Sequence, residues 1–121
     1  MPAIPPVILK KLYVKGSLRA EGDGFVFSLQ NNIAPGVIHG FKGLTLDGKA
    51  VPMEQVSIVQ PDGTVVPAGA ISEQSPLLFP LGATVTLRVS GVPLGSGSHQ
   101  LGIRVRVKDV GPLEIPVAAQ V

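Results

Sequence analysis

The chain has 121 residues, a formal net charge of +2 and no cysteine. That length fits one domain with a substantial core, and the lack of cysteine excludes disulfides and thiolate metal sites. Charged residues make up only 15% of the chain, yet no apolar run approaches the ~20 residues of a membrane helix. We therefore expect a cytoplasmic protein without a membrane span, which buries its apolar surplus against other subunits.

The N-terminal segment MPAIPP is rich in proline. A signal peptide has a charged stretch before an apolar core. This segment lacks that charged stretch, so we do not interpret it as a signal peptide. Proline restricts the unfolded chain, so less entropy is lost when such a segment docks on a neighbour. We expect an extended arm over residues 1–8 and a single domain over residues 9–121; a frayed tail explains the same composition.

Short runs with a two-residue alternation of apolar and polar side chains follow, and they predict strands. These runs cover residues 9–19, 25–29, 37–46, 55–60, 83–90, 99–108 and 112–119. The clearest is 99–108, where Leu101 and Ile103 alternate with polar residues such as Arg104. Gly and Pro recur throughout and leave no helical segment of ten residues or more.

The connections between these runs also carry signals. Asp47-Gly48 predicts a tight hairpin turn, because this dipeptide tolerates positive φ angles. Residues 67–82 form the longest irregular stretch, which we expect to cross between sheets with a helical turn near Ile71–Gln74. Seven or eight short strands with regular turns predict an all-β fold, an antiparallel β-sandwich of the immunoglobulin-like, Greek-key kind.

Residues 31–40, NNIAPGVIHG, place two amides and a histidine around a Pro-Gly turn. Asn31 and Asn32 fit a loop, because asparagine side chains imitate backbone turns. Strict alternation puts His39 on the same face as Val37 and Phe41, a face that belongs to the core or to an interface. We interpret the stretch as strand, loop and strand, and keep Asn31, Asn32, His39 and Phe41 as candidate interface or ligand residues.

No catalytic signature such as GxSxG, GxxxxGK[ST] or HExxH occurs. We therefore predict no catalytic residue, no metal site and no cofactor. His99 shares the parity of Leu101, which predicts a hydrogen-bonded histidine at the rim of the core. Arg104 and Arg106 indicate a solvated sheet face or a docking patch for an acidic partner, and they are too few to indicate nucleic-acid binding.

Three stretches together resemble the small β-sandwich family of C-glycoside deglycosidase β subunits. They are GFVFSLQNN, APGVIHGFKGLTLDGKAVPMEQVSI and FPLGATVTLRVSGVPLGSGSHQLGIRVRV, with the motifs at Gly24–Phe27, Gly36–Ile38, Leu44–Ile58 and Phe79–Val107. The resemblance implies a β-sandwich subunit that pairs with a TIM-barrel catalytic α subunit. It also implies that the metal and the catalytic histidine belong to that α subunit, so no catalytic residue is carried over.

These observations lead to a noncatalytic accessory subunit of a larger, sugar-active catalytic chain as the expected function. The alternative is a self-assembling homo-oligomeric β-sandwich, in which the same apolar surfaces bury against copies of the chain. A carbohydrate-binding module is disfavoured because such sites use exposed aromatic rings, and the chain has one Tyr and four Phe. An independent enzyme is the least favoured reading.

Overall fold

Two packed antiparallel sheets form the fold in the computed structural model, which describes residues 4–121. In chain order the strands are β1 Arg19–Glu21, β2 Gly24–Gln30, β3 Gly36–Leu46, β4 Lys49–Ala50, β5 Val56–Val59, β6 Val65–Pro67, β7 Leu77–Phe79, β8 Thr84–Val89, β9 Ser98–Val107 and β10 Gly111–Gln120. The first sheet has the order β1-β2-β8-β5-β6 and the second β10-β9-β3-β4, with β7 also paired to β3. The predicted all-β sandwich is confirmed, and the short strands β1, β6 and β7 add to the predicted ones.

Alternating side chains from the two sheets build the core. The inward residues of β2 and β8 are Phe25, Phe27, Leu29, Val85, Leu87 and Val89, and those of β9 and β10 include Leu101, Ile103, Val105, Ile115 and Val117. All of them are buried, as the two-residue period of these strands predicts. Phe25 and Phe27 are completely inaccessible to solvent and lie with ring centroids 6.3 Å apart.

Strand β3 departs from strict alternation. Its pairing with β9 shifts register between Ile38 and Gly40, and again between Phe41 and Gly43. An extra residue of this kind reverses the facing of the side chains that follow it, so Ile38 and Phe41 are both buried although they lie three residues apart. The expectation that Phe41 shares a face with Val37 and His39 is therefore wrong, and Phe41 belongs to the core.

A short helix replaces the predicted strand at the start of the domain. Helix α1 spans Pro6–Leu9 and continues in a 3₁₀ turn, Lys10–Leu12. Proline suits the first helical position because its missing N–H is not needed there. Leu9 and Leu12, one turn apart, are buried where the helix packs beside β10. The predicted arm is thus helical from Pro6, and residues 1–3 of that arm lie outside the described residues.

The opposite side of the sandwich is closed by 3₁₀ turns at Met53–Gln55 and Ala68–Ala70. The segment after β6 leads to β7 in the other sheet, as predicted, but the helical turn lies at Ala68–Ala70 rather than near Ile71–Gln74. Between residues 4 and 121 there is no helix with the length and apolar character needed to cross a bilayer.

Strand β10 ends the second sheet and carries Pro112 and Pro116. Proline has no N–H for a strand ladder, so these positions suit the free side of an edge strand. Their partners in register are Arg106 and Gly102 of β9. The two prolines leave β10 a poor template for a further strand.

Candidate functional site

Asn31 organises the loop between β2 and β3. Its side-chain Nδ2 donates hydrogen bonds to the carbonyl oxygens of Ala34 at 2.7 Å and Phe79 at 2.6 Å. Its Oδ1 accepts from the backbone N–H groups of Ile33 at 3.1 Å and Ala34 at 3.3 Å. Asn31 is the one polar or charged residue fully buried in the described part of the chain, and both donor hydrogens and both acceptor sites of its amide are used.

The backbone of Asn31 fastens the same loop to the turn before β8. Its N–H donates to the carbonyl of Ala83 at 2.9 Å, and its carbonyl accepts from the N–H of Gly82 at 2.6 Å. Asn32, which is exposed, donates from Nδ2 to the carbonyl of Lys11 at 2.8 Å. The two adjacent amides thus have different tasks: Asn31 joins the loop to β7 and to the turn before β8, and Asn32 joins it to the N-terminal helical segment.

An apolar cavity of about 140 Å³ lies between the sheets next to this loop. Its walls come from both sheets and from the N-terminal segment, and include Leu9, Leu12, Leu29, Val85, Leu87, Ile103, Val105 and Ile115. Asn31 is the one polar side chain among the residues that line it. Because that amide is fully hydrogen-bonded within the protein, the cavity presents an essentially hydrocarbon surface.

The cavity reaches the surface at the loop, since Ala34 and Pro35 line it and are also exposed. Next to them, Gly36 pairs with Phe79 and Val37 with Leu78, which places β7 beside the loop. Leu78 is 60% exposed and Leu81, in the turn that Asn31 holds, is 59% exposed. We call Ile33, Ala34, Pro35, Leu78 and Leu81 the apolar rim.

A second polar cluster lies at the opposite end of β3 and β9. Asp47 and Gly48 form the turn between β3 and β4 with φ angles of 52° and 83°, as the Asp-Gly signal predicts. The Asp47 carboxylate accepts from the N–H of Gln100 at 2.8 Å and contacts Nδ1 of His99 at 2.7 Å. The Nε2 of His99 lies 2.6 Å from the carbonyl oxygen of Gly95.

This geometry favours the charged forms of both side chains. The pKa of Asp47 is lowered chiefly by the Gln100 N–H and then by His99. The pKa of His99 is raised chiefly by the Asp47 carboxylate and then by the Gly95 carbonyl. Both ring nitrogens of His99 face acceptors, so only the imidazolium satisfies both contacts. The pair joins the β3–β4 turn to the loop before β9.

The remaining candidate residues lie on β3 and β9. His39 is half-buried at the irregular part of β3, and Arg104 and Arg106 are exposed on the outer face of β9. Gly43 lies beneath the Arg104 guanidinium and Gly40 beside Cβ of Arg106. Within residues 4–121, neither arginine has a carboxylate within ion-pair distance. Asn31 and Phe41 are therefore the candidates that the structure places at the cavity, Asn31 as a hydrogen-bonded amide and Phe41 as a core side chain.

Sequence reasoning missed the cavity and the Asp47–His99 pair. The cavity depends on how two sheets and a helix meet, for which a single sequence gives no signal. The pair joins residues 52 positions apart, and only the β3–β9 register brings them together. Over residues 4–121, His, Asp and Glu side chains form no group of three or more that could hold a metal ion.

Comparison with known families gives one match. Residues 8–121 match the family model described as hydroxymethylglutaryl-CoA reductase, N-terminal domain. No curated protein sequence matches the chain significantly. The expected membership in the C-glycoside deglycosidase β subunit family is therefore wrong. The motifs behind that expectation were turns and strand alternations, which unrelated β-sandwiches share.

Proposed function

The chain belongs to the family of hydroxymethylglutaryl-CoA reductase N-terminal domains, and we propose that it is a noncatalytic accessory domain that binds a larger catalytic chain. The family is defined on one domain of a larger protein. This supports a role in which the domain contacts another protein domain or chain. On this proposal the catalytic chain is a hydroxymethylglutaryl-CoA reductase, and the β-sandwich contributes contacts rather than reacting groups.

The apolar rim is the observation that carries this proposal. Leu78 and Leu81 are the two most exposed leucines of the described chain, and both lie next to residues that hydrogen-bond to Asn31. Asn31 bonds to the carbonyl of Phe79, between the two leucines, and to both Gly82 and Ala83. Large apolar side chains presented on fixed backbone are typical of protein interaction sites.

The energetic contribution of the two leucines follows from their exposure. Fully burying a leucine is worth about 1.5–3 kcal/mol. With 60% and 59% of the residues still exposed, burial of both in an interface is worth about 2 kcal/mol or more. That corresponds to roughly a thirtyfold change in Kd.

The test is binding of the purified chain to the catalytic chain of a hydroxymethylglutaryl-CoA reductase from the same source, followed by sedimentation velocity. We expect a 1:1 complex and about a thirtyfold weaker Kd for the double variant Leu78→Ser/Leu81→Ser. Val65→Ser is the matched control, because Val65 is 52% exposed on β6, at the edge of the other sheet. We also expect the chain alone to give no turnover of hydroxymethylglutaryl-CoA.

Light scattering of the isolated chain separates this proposal from self-assembly. An accessory domain without its partner is expected to be a monomer at micromolar concentration. A large oligomer whose mass does not change on dilution would favour the homo-oligomeric alternative. Absence of any complex with the catalytic chain, or equal weakening by Val65→Ser, would contradict docking through the apolar rim.

A further inference from the structure

We propose that the cavity between the sheets is a binding site for a small, unfunctionalised hydrocarbon about the size of a benzene ring. Ile33, Ala34 and Pro35 of the apolar rim also line the opening of this cavity, but the cavity continues between the sheets, and ligand binding there is tested on the chain without any partner. The proposal rests on three features: the volume of the cavity, its lining and its access to the surface.

The volume exceeds what ordinary packing leaves. Native interiors contain few voids larger than a water molecule, whereas this cavity measures about 140 Å³. An engineered apolar cavity of roughly 150 Å³ in another protein stays free of water and binds benzene or xenon. The space between β8 and β9 therefore matches a six-carbon ring in volume.

The lining selects against polar ligands. A buried water or a ligand hydroxyl needs polar partners, and Asn31 is the one polar side chain among the lining residues. Both hydrogens of its amide are donated to Ala34 and Phe79, and its oxygen accepts two N–H groups. A hydroxyl on the ligand would lose its hydrogen bonds to water without finding a partner, so the preferred ligand has none.

Access is provided where Ala34 and Pro35 line the cavity and also meet solvent. Leu9 and Leu12 form part of the wall on the side of the N-terminal helical segment. Among residues 4–121, one hydrogen bond, from Asn32 to the Lys11 carbonyl, attaches this segment to the loop, together with apolar contacts. A ligand of benzene size can therefore enter beside the loop without opening the strand pairing.

The experiment uses benzene as the probe and phenol as its polar counterpart, with methyl NMR spectra of the whole chain. We expect benzene to shift the methyl resonances of Val85, Val105 and Ile103, and to raise Tm. Phenol, which has nearly the same size, is expected to bind at least tenfold more weakly. Equal affinity for phenol and benzene, or no methyl shifts with benzene, would overturn the proposal.

Two variants locate the binding. Val85→Leu/Val105→Leu extends two side chains that line the cavity and should reduce benzene affinity at least tenfold. Val56→Leu/Val89→Leu makes the same change at buried positions outside the lining and should leave it unchanged. If both variants bind benzene equally, the assignment to this cavity is refuted.

A readout on the unaltered chain does not depend on how the variants fold. In xenon-pressurised crystals, we expect an electron-density peak between β8 and β9, enclosed by Val85 and Val105. A cavity without such a peak contradicts the proposal whatever the behaviour of the variants.

Discussion

Replacing Asn31 by aspartate tests whether one buried amide holds the loop between β2 and β3. The substitution keeps the size of the side chain but removes both N–H donors. The Ala34 and Phe79 carbonyls, 2.7 and 2.6 Å from Nδ2, would then face a carboxylate oxygen. Because the size of the side chain is unchanged, any loss of stability comes from the hydrogen bonds and the charge rather than from a void.

The magnitude follows from the burial of the two bonds. The bond to Phe79 is buried and the bond to Ala34 is partly buried, and leaving a buried acceptor without its donor costs about 1–3 kcal/mol. We expect the free energy of unfolding to fall by about 3 kcal/mol at neutral pH. For a domain of this size, that lowers Tm by roughly 12 °C.

Asn32→Asp is the matched control, since it makes the same chemical change at the next residue. Asn32 is exposed and donates one bond, to the Lys11 carbonyl, so we expect a loss of about 0.5 kcal/mol or less. Urea unfolding followed by circular dichroism measures both variants. Equal losses, or a loss below about 1 kcal/mol for Asn31→Asp, would refute the assigned role of Asn31.

Three further predictions concern the pH response and two glycines. The raised pKa of His99 means that its stabilising contribution is complete below its ordinary value of 6.5 and is lost as pH rises through the higher folded-state pKa. Tm of the native chain should therefore fall between pH 6 and pH 9, and the fall should be smaller in the His99→Gln variant. If the variant and the native chain show the same dependence of Tm on pH, the Asp47–His99 pair does not contribute to stability. Gly24→Ala should destabilise the fold by about 3 kcal/mol, because its Cβ would lie 1.7 Å from the Val89 carbonyl oxygen; retention of the native Tm would contradict this packing. Gly48→Ala, with φ of +83° and open space around Cβ, should lose only about 1–2 kcal/mol in urea unfolding, and a larger loss would indicate a contact that the structure does not show.

Most of the fold was predictable because its strands carry strong local patterns. The alternation in β8 and β9 is regular, and the strands β2, β8 and β9 each lie within two residues of their predicted bounds. The turn at Asp47-Gly48 requires positive φ angles, and the Asp-Gly dipeptide is typical of such turns. These features depend on neighbours in the chain, so a single sequence contains the information.

The errors arise where tertiary packing decides. The short apolar run that contains Leu9 and Leu12 is compatible with either a helix or a strand. The contact of this segment with β10 favours the helix. In β3, the irregularity between Ile38 and Gly40 shifts the facing of Phe41, and such shifts have no reliable signal in the sequence. Asn31 was recognised as a loop residue, but its buried hydrogen bond to the Phe79 carbonyl depends on β7, which was not predicted as a strand.

The docking of α1 beside β10 has a consequence for how the protein is made. Leu9 and Ile115 line the same cavity, although more than a hundred positions separate them along the chain. During synthesis on the ribosome, the N-terminal leucines emerge long before the strand that covers them. Since folding slows when contacts join distant parts of a chain, the nascent protein carries uncovered apolar segments until β10 has left the exit tunnel. We therefore expect heterologous production to depend on chaperone supply more strongly than the stability of the finished fold would indicate.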